Sequence, residues 1–561
     1  MTGSFDPTAT MIIARALGAA AQEMGINLIR SAFSTVVREA RDCSAALLDA
    51  EGNVVAQGEM IPMQTAALSF SFKGAKAAID LSAVRPGTAI LMNDPYSGGQ
   101  HLHDLILFQP IFVGDDLVGY AGSTAHHLDI GGGAPGVNTG ATDLIQEGLV
   151  IPPLLFEVER DWHGGNLERL ILANIRTREI GLGDLNAQFA ANHVGIRRVR
   201  EIAAKWGVPH LRHAMAEALD YSERRMRREI ARIPDGSYEG SARVDRDIFD
   251  DTPIAVHARV TVRGEDIEID FAGTDAQVRG MLNCPLASAH AAALSAVRTV
   301  IADKDIPPND GCNRPLTLHF PHGSVLNPRP GAPVRARMSV AYRALDAVHQ
   351  ALAQAMPQRV PAQGFNTTTG FYITQLRPDG SYRVYADVLG GGYGASRGLD
   401  GADALDSILS NCRNTPIEAI EQEHDHLLMR RYGLVADSGG AGQWRGGLGF
   451  IREVEVREPG VRVSLYSDHF RHPPQGLAGG QPGGCGSLRV FREGETIELD
   501  STSSLDLRPG DRVELQVGGG GGWGDPTDRD PGAVARDLRD GRITPDYAAR
   551  WHGPDRKLAH G

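Results

Sequence analysis

Within residues 93–133, NDPYSGGQHLHDLILFQPIFVGDDLVGYAGSTAHHLDIGGG, four histidines lie in two groups, each with an aspartate beside it. His101, His103 and Asp104 fall within four residues of one another, as do His126, His127 and Asp129. Imidazole nitrogen and carboxylate oxygen form the ligand set of divalent zinc, manganese or iron. The same residue types also build hydrogen-bonded polar clusters, and spacing alone leaves both readings open.

The elements around them have to bring the two groups together. An apolar run from Leu105 to Phe112, a turn at Gly114-Asp115-Asp116 and a second apolar run from Leu117 to Ala121 predict a β-hairpin. Antiparallel strands joined by a turn set their outer ends side by side, so residues far apart in sequence can share one site. Glycines at 98, 99, 122 and 131–133 let backbone approach a ligand closely.

Upstream, Ile12, Ile13, Leu17, Met24, Leu28, Ile29 and Phe33 recur at helical spacing and predict a helix over 8–38. Arg38-Glu39-Ala40-Arg41-Asp42-Cys43 then leads into a strand at Ala45–Leu48. This charged run fits either a salt-bridged helix end or an active-site ion network. A turn at residues 49–52 and a helix over 61–78 follow. Downstream, Gly183–Trp206 predicts a helix capped by Asp184, with Asn186, Gln188, Asn192 and His193 among small apolar residues. Pro234-Asp235-Gly236 marks a boundary, after which the period changes to two. Helices are expected over 287–302 and 340–356, and hairpins over 454–463 and 488–517. The fold expected is mixed α/β (α+β) and multidomain, with antiparallel and mixed sheets, Gly-rich loops and flanking helices. Its segments are an N-terminal α/β domain bearing the metal site (1–235), a central α+β domain (236–430), a β-rich domain (431–530) and a polar helical tail (531–561).

Bulk properties narrow the function classes. A chain of 561 residues exceeds one ordinary core. Its formal charge of -13 disfavours nucleic acid as partner. No apolar run approaches the roughly 20 residues of a membrane span. The N-terminus, MTGSFDPTAT, lacks the basic flank and apolar core of a signal peptide. Five scattered cysteines without a CxxC pair indicate neither a disulfide frame nor a thiolate zinc site, so a cytoplasmic location is expected. Gly518–Gly522 ends in Trp523-Gly524-Asp525 instead of the Lys-Ser/Thr of a Walker loop, and Asp270–Asp275 reads as a strand end and turn.

These segments together resemble the hydantoinase B/5-oxoprolinase family, which includes subunits of acetone and acetophenone carboxylases. The matching stretches are REARDCSAALLDAEG (38–52), NDPYSGGQHLHD (93–104), AHHLDIGG (125–132), Gln146-Glu-Gly148, Asn174-Ile-Arg176 with DLNAQ (184–188), DFAGTDAQVRGMLN (270–283), PPNDGC (307–312), GGGYG (390–394), NCRNTP (411–416) and the GGGGGWGDP tail. They run in order along nearly the whole chain. Met63-Gln64 stands where the family often carries a His after Pro-Val.

The resemblance implies a partner, an actin-like ATPase subunit of the hydantoinase A type that uses ATP and Mg to phosphorylate the substrate, in a hetero-oligomer with two copies of each subunit. It implies a divalent metal (Zn, Mn or Fe) held by a His-x-x-Asp unit and a later His, here His101, Asp104 and His126. His127 is the nearest competitor. His103 is the weaker candidate because an extended segment would turn it away from Asp104. Asp129 is then expected to orient a ligand imidazole, Arg41 to hold a phosphate or carboxylate, and His127 to assist catalysis. Asn93, Tyr96 and Asn186 are expected to contact substrate. The activity implied is ATP-dependent opening of a cyclic amide or imide such as hydantoin, N-methylhydantoin or 5-oxoproline. The alternatives are ATP-dependent ketone carboxylation and a non-catalytic structural subunit.

Overall fold

A computed structural model describes residues 6–553. Residues 1–5 and 554–561, the latter the end of the expected tail, lie outside the described residues. The predicted hairpin forms the centre of a six-stranded sheet. Its strands are β1 (Cys43–Asp49), β2 (Val54–Gln57), β3 (Thr88–Met92), β4 (Asp104–Val113), β5 (Asp116–His126) and β6 (Leu154–Glu157), in the order β2-β1-β5-β4-β3-β6. Every neighbouring pair is antiparallel. β4 and β5 are buried over most of their length, because helices cover both faces of the sheet. On one face Leu68 and Phe72 of helix Pro62–Ala78 pack on Phe108 and Tyr120. On the other, Ile13, Leu17 and Met24 of helix Pro7–Ser31 pack with Leu47, Ile111, Val118 and Val199.

The helix expected over 8–38 is broken. Helix Pro7–Ser31 stops, and a single turn, Thr35–Arg38, follows with Ser34 as its N-cap. Asp184 explains the break. It does not cap its own helix, which begins earlier and spans Arg178–Trp206. Buried inside that helix, its carboxylate accepts the backbone N–H groups of Phe33 (2.7 Å) and Ser34 (3.1 Å). Two orphan donors at a helix start are thereby satisfied across the chain.

In the second half, strands Gly236–Val244, Ile254–Arg263 and Asp266–Asp270 are antiparallel, and Leu316–His319 adds to the last of them in parallel, giving a mixed sheet. Asp270 ends its strand and accepts the N–H of Ala272 in the following turn, as the sequence predicts. Helices Leu286–Val300 and Arg337–Ala355 belong with this sheet to the largest apolar core, which also takes in Leu28 and Tyr466. Two further antiparallel sheets share the core of Phe371, Ile373, Val463, Leu465, Val454, Val513 and Leu515. The hairpin expected over 454–463 does not form: Phe450–Val456 pairs in one of these sheets and Val461–Tyr466 in the other. The strand after the Ser487–Arg492/Glu495–Leu499 hairpin, Thr502–Leu507, likewise crosses to the other sheet. Period-two alternation marks these strands but does not choose their partners.

The glycine runs lie backbone against backbone. Gly392 N–H donates to Gly518 O (3.0 Å), Gly520 N–H to Gly447 O (2.9 Å) and Gly440 N–H to Gly520 O (2.8 Å). A Cβ on Gly520 would stand 2.0 Å from the Tyr393 carbonyl oxygen, so only glycine permits this approach. Among the described residues no helix is long and apolar enough to cross a membrane.

Candidate metal centre

Asp104 opens β4 and His126 closes β5, and the two are register partners at the open end of the hairpin. A turn before β4, in which Asp104 N–H donates to His101 O (3.1 Å), sets His101 beside them. His101 Nε2 lies 3.1 Å and His126 Nδ1 3.4 Å from the same oxygen, Asp104 Oδ1. β1 runs along the other edge of β5, and its lead-in residue Asp42 brings Oδ2 to 3.6 Å from His126 Nδ1. Gln64 Nε2 donates to Asp42 Oδ1 at 2.8 Å.

The donor set fits a divalent ion. Ligand atoms about 2.1 Å from one ion stand roughly 3.4 Å apart across a tetrahedral edge. One donor atom from each of His101, Asp104 and His126 lies within 4.8 Å of the others, and all three residues are buried. Asp104 Oδ1 is buried and makes no well-aligned hydrogen bond, though His101 Nε2 and His126 Nδ1 both approach it. Burial, with the nearby Arg337 charge, holds His101 well below the usual histidine range. Burial brings His126 down to about 4. Both rings are therefore neutral near pH 7, the form that can ligate a cation. Burial opposes the charge on Asp104, but His101, His126 and Arg337 outweigh it and hold the carboxyl well below its ordinary value. Burial and the Asp104 charge push Asp42 up to about 8, and Arg337 and Arg335 offset part of this.

Two arginines close the cluster from a distant part of the chain, and sequence reasoning missed both. Arg337 starts its helix and donates to Asp104 Oδ2 (2.9 Å) and, through Nε, to Ser288 Oγ (3.1 Å). Arg335, just before that helix, donates to His101 Nδ1 (2.9 Å), His126 Nε2 (3.4 Å) and the Tyr372 hydroxyl. Guanidinium only donates, so these two ring nitrogens accept here and the ring protons face Asp104. Glu147 fixes the Arg335 backbone by accepting N–H from Val334 (3.0 Å) and Arg335 (2.9 Å). The available signal was two charges in the otherwise apolar run PVRARMSVAY.

The other sequence candidates are placed differently. His103 lies in the turn before β4 and not on an extended strand, so the alternation argument does not apply. Its ring sits 5.6 Å from that of His101 and 5.5 Å from that of His126, inside the cluster. His127 faces helix Arg178–Trp206, with Nε2 3.0 Å from Gln188 Oε1. Asp129 is taken up by Arg176, through its backbone N–H (2.5 Å) and Nη1 (3.0 Å), and not by an imidazole. Arg41 is exposed at φ +62°. Asn93 is fully buried and braces loops: its amide nitrogen donates to Leu102 O (2.7 Å) and Leu149 O (2.9 Å), and its oxygen accepts from Ile151 N (2.6 Å). The Tyr96 hydroxyl donates to Ala332 O (2.7 Å), and Asn186 is exposed and accepts from Trp162 Nε1 (2.9 Å).

This architecture belongs to a known class. The chain is a member of the hydantoinase B/oxoprolinase family, whose family model matches residues 6–526. It is 33% identical to the B component of a putative D-/L-hydantoinase of a Pseudomonas species, over 98% of this chain and 95% of that one. The crystal structure of an ATP-dependent caprolactamase from Pseudomonas jessenii superposes with a TM-score of 0.89 at 28% identity, covering 98% of this chain and 96% of that one. The nucleotide-free structure of an acetone carboxylase shares the fold, with a TM-score of 0.87 at 18% identity over 98% of this chain and 79% of that one.

Proposed function

We propose that this chain is the metal-bearing subunit of an ATP-dependent amidohydrolase. Its substrate is a cyclic amide or imide, such as hydantoin, N-methylhydantoin or 5-oxoproline, phosphorylated by a partner ATPase subunit of the hydantoinase A type. The observation that carries this reading is the buried convergence of one donor atom each from His101, Asp104 and His126, in a chain similar to the B component of a hydantoinase and to an ATP-dependent caprolactamase. That relative is named as one component of a multi-subunit enzyme, which supports a hetero-oligomer, here with two copies of each subunit.

Neutral His101 and His126 and ionised Asp104 would hold a zinc, manganese or iron ion, with Asp42 Oδ2 3.6 Å from His126 Nδ1. The ion supplies Lewis acidity, which lowers the pKa of bound water or polarises an acyl oxygen. Arg337 keeps Asp104 ionised and fixes its second oxygen, leaving Oδ1 as the free donor. Gln64 fixes Asp42 beside His126. Burial of the whole cluster limits access of bulk water and strengthens every charge interaction within it. An unactivated lactam resists attack, so phosphorylation by the partner and hydrolysis here divide the work.

The test is incubation of the chain with its partner, ATP and each cyclic amide. Ring-opened acid is expected without added bicarbonate. ATP turnover with no acid from any of these substrates contradicts the reading, and a bicarbonate-dependent carboxylated ketone would replace it with the carboxylase.

A further inference from the structure

The deeply buried arginines of this chain come with carboxylates. Arg337, Arg343, Arg445, Arg452 and Arg529 each form an ion pair with an aspartate. Arg335 is as buried, at 2% exposure, yet among the described residues its guanidinium makes no ion pair. Its neighbours are two imidazoles and a phenol, and its Nε has no partner at all. The rings of Tyr372 and Tyr466 flank it, with centroids 5.4 and 5.5 Å away. Glu147 and Asp104 are close enough for their charges to act on it, but neither hydrogen-bonds it: Glu147 accepts the backbone N–H groups of Val334 and Arg335, and Asp104 Oδ2 accepts Arg337.

A guanidinium withdrawn from water without a directly bonded counter-charge is costly, and buried charges are otherwise paired. The deficit grows when the two imidazoles ligate a metal through the nitrogens that face Asp104. Their outer nitrogens then carry the protons, and Arg335 is surrounded by donors.

We infer that Arg335 binds the anionic oxygens of the substrate's phosphoryl group, an inference that rests on the proposed function. The planar fork matches two phosphoryl oxygens, and its place against His101 and His126 sets the phosphorylated ring beside the metal ligands. A directly bonded anion thus arrives with the activated substrate, and an unphosphorylated lactam leaves the guanidinium without one.

The experiment is a calorimetric titration of the metal-loaded complex of this chain and its partner with inorganic phosphate, and in parallel with acetate. It compares wild type, Arg335→Met and Arg335→Lys, with metal content and melting temperature recorded for each. Arg335→Met is expected to keep its metal and its melting temperature and to bind phosphate about ten- to a hundred-fold more weakly. Arg335→Lys is expected to fall between, since it keeps the charge and loses the fork. Unchanged phosphate affinity in a folded Arg335→Met protein overturns the inference. So does loss of acetate binding with phosphate unaffected, which would assign Arg335 to a carboxylate. If Arg335→Met does not fold, unchanged phosphate affinity in Arg335→Lys overturns it instead. Failure of the proposed function reads differently: a complex that binds phosphate through Arg335 but opens no cyclic amide removes the hydrolase and leaves the arginine's role, and lactam opening with phosphate indifferent to Arg335 does the reverse.

Discussion

Asp104 and Arg337 lie 233 residues apart in sequence and meet at 2.9 Å inside the protein, both almost fully buried. The same carboxylate faces two imidazoles through its other oxygen. Asp104 therefore serves two purposes, as candidate ligand and as counter-charge, and substitutions separate them. Asp104→Ala should lose the metal and also strand Arg337, at a cost of about 3–5 kcal/mol. His126→Ala should lose the metal at smaller cost, because it leaves no charge unpaired. Thermal unfolding of the two metal-free variants checks the difference, and equal melting temperatures would contradict it.

The glycine lattice predicts opposite outcomes for one substitution type. Gly520→Ala places a methyl 2.0 Å from a backbone carbonyl and should prevent folding or destabilise the protein severely. Gly18→Ala, on helix Pro7–Ser31 with nothing within 4 Å of the new Cβ, should stabilise by about 0.5–1 kcal/mol. Soluble yield and denaturant melts of the two variants test this.

Acid sensitivity should come partly from histidines outside the centre. His290, packed between Phe70 and Phe320 with ring centroids 5.0 Å from each, is brought down to about 4 by burial and Lys73. Burial does the same to His424 and His426. A histidine depressed in the fold binds its proton more readily when unfolded. Its contribution to stability is present above the unfolded value of about 6.5 and is lost as pH falls through the folded value. Each such group adds a slope of up to about 1.4 kcal/mol per pH unit between those limits. His290→Phe keeps an aromatic ring in place and should flatten the stability profile between pH 4 and 6.5, which denaturant melts across that range measure. An unchanged slope would contradict the assignment.

Asp184 offers a local test of long-range capping. Asp184→Ala removes the acceptor of the Phe33 and Ser34 N–H groups and should cost about 1–3 kcal/mol. Amide exchange at Phe33 and Ser34 should rise with it, and protection retained there would count against the role assigned.

The hairpin was legible in the sequence because two apolar runs and a short turn leave little choice of pairing, and pairing carries Asp104 to His126. His101 was legible from its spacing to Asp104 together with the family resemblance. His103 stands outside the converging donor atoms as expected, but not for the reason of strand alternation, since it lies in a turn. Arg335 and Arg337 were invisible as site residues: nothing local to PVRARMSV says which sheet end that segment will meet. Asn93 looks like chemistry in a motif and is spent on backbone, and Asp129 is divided between backbone N–H groups and the Arg176 guanidinium, since loops rich in glycine need side chains to satisfy their N–H and carbonyl groups. The switch of strands between the last two sheets was hidden for a related reason, as alternation fixes faces and not neighbours.

Metal content of purified variants tests the central claim most directly. Wild type, His101→Ala, Asp104→Ala, His126→Ala and His127→Ala would be analysed after equilibration with zinc, manganese or iron and removal of excess ion. The account predicts a stoichiometric ion in wild type and in His127→Ala, whose ring turns to Gln188, and none in the other three. A folded His101→Ala or His126→Ala protein with full metal content would contradict it.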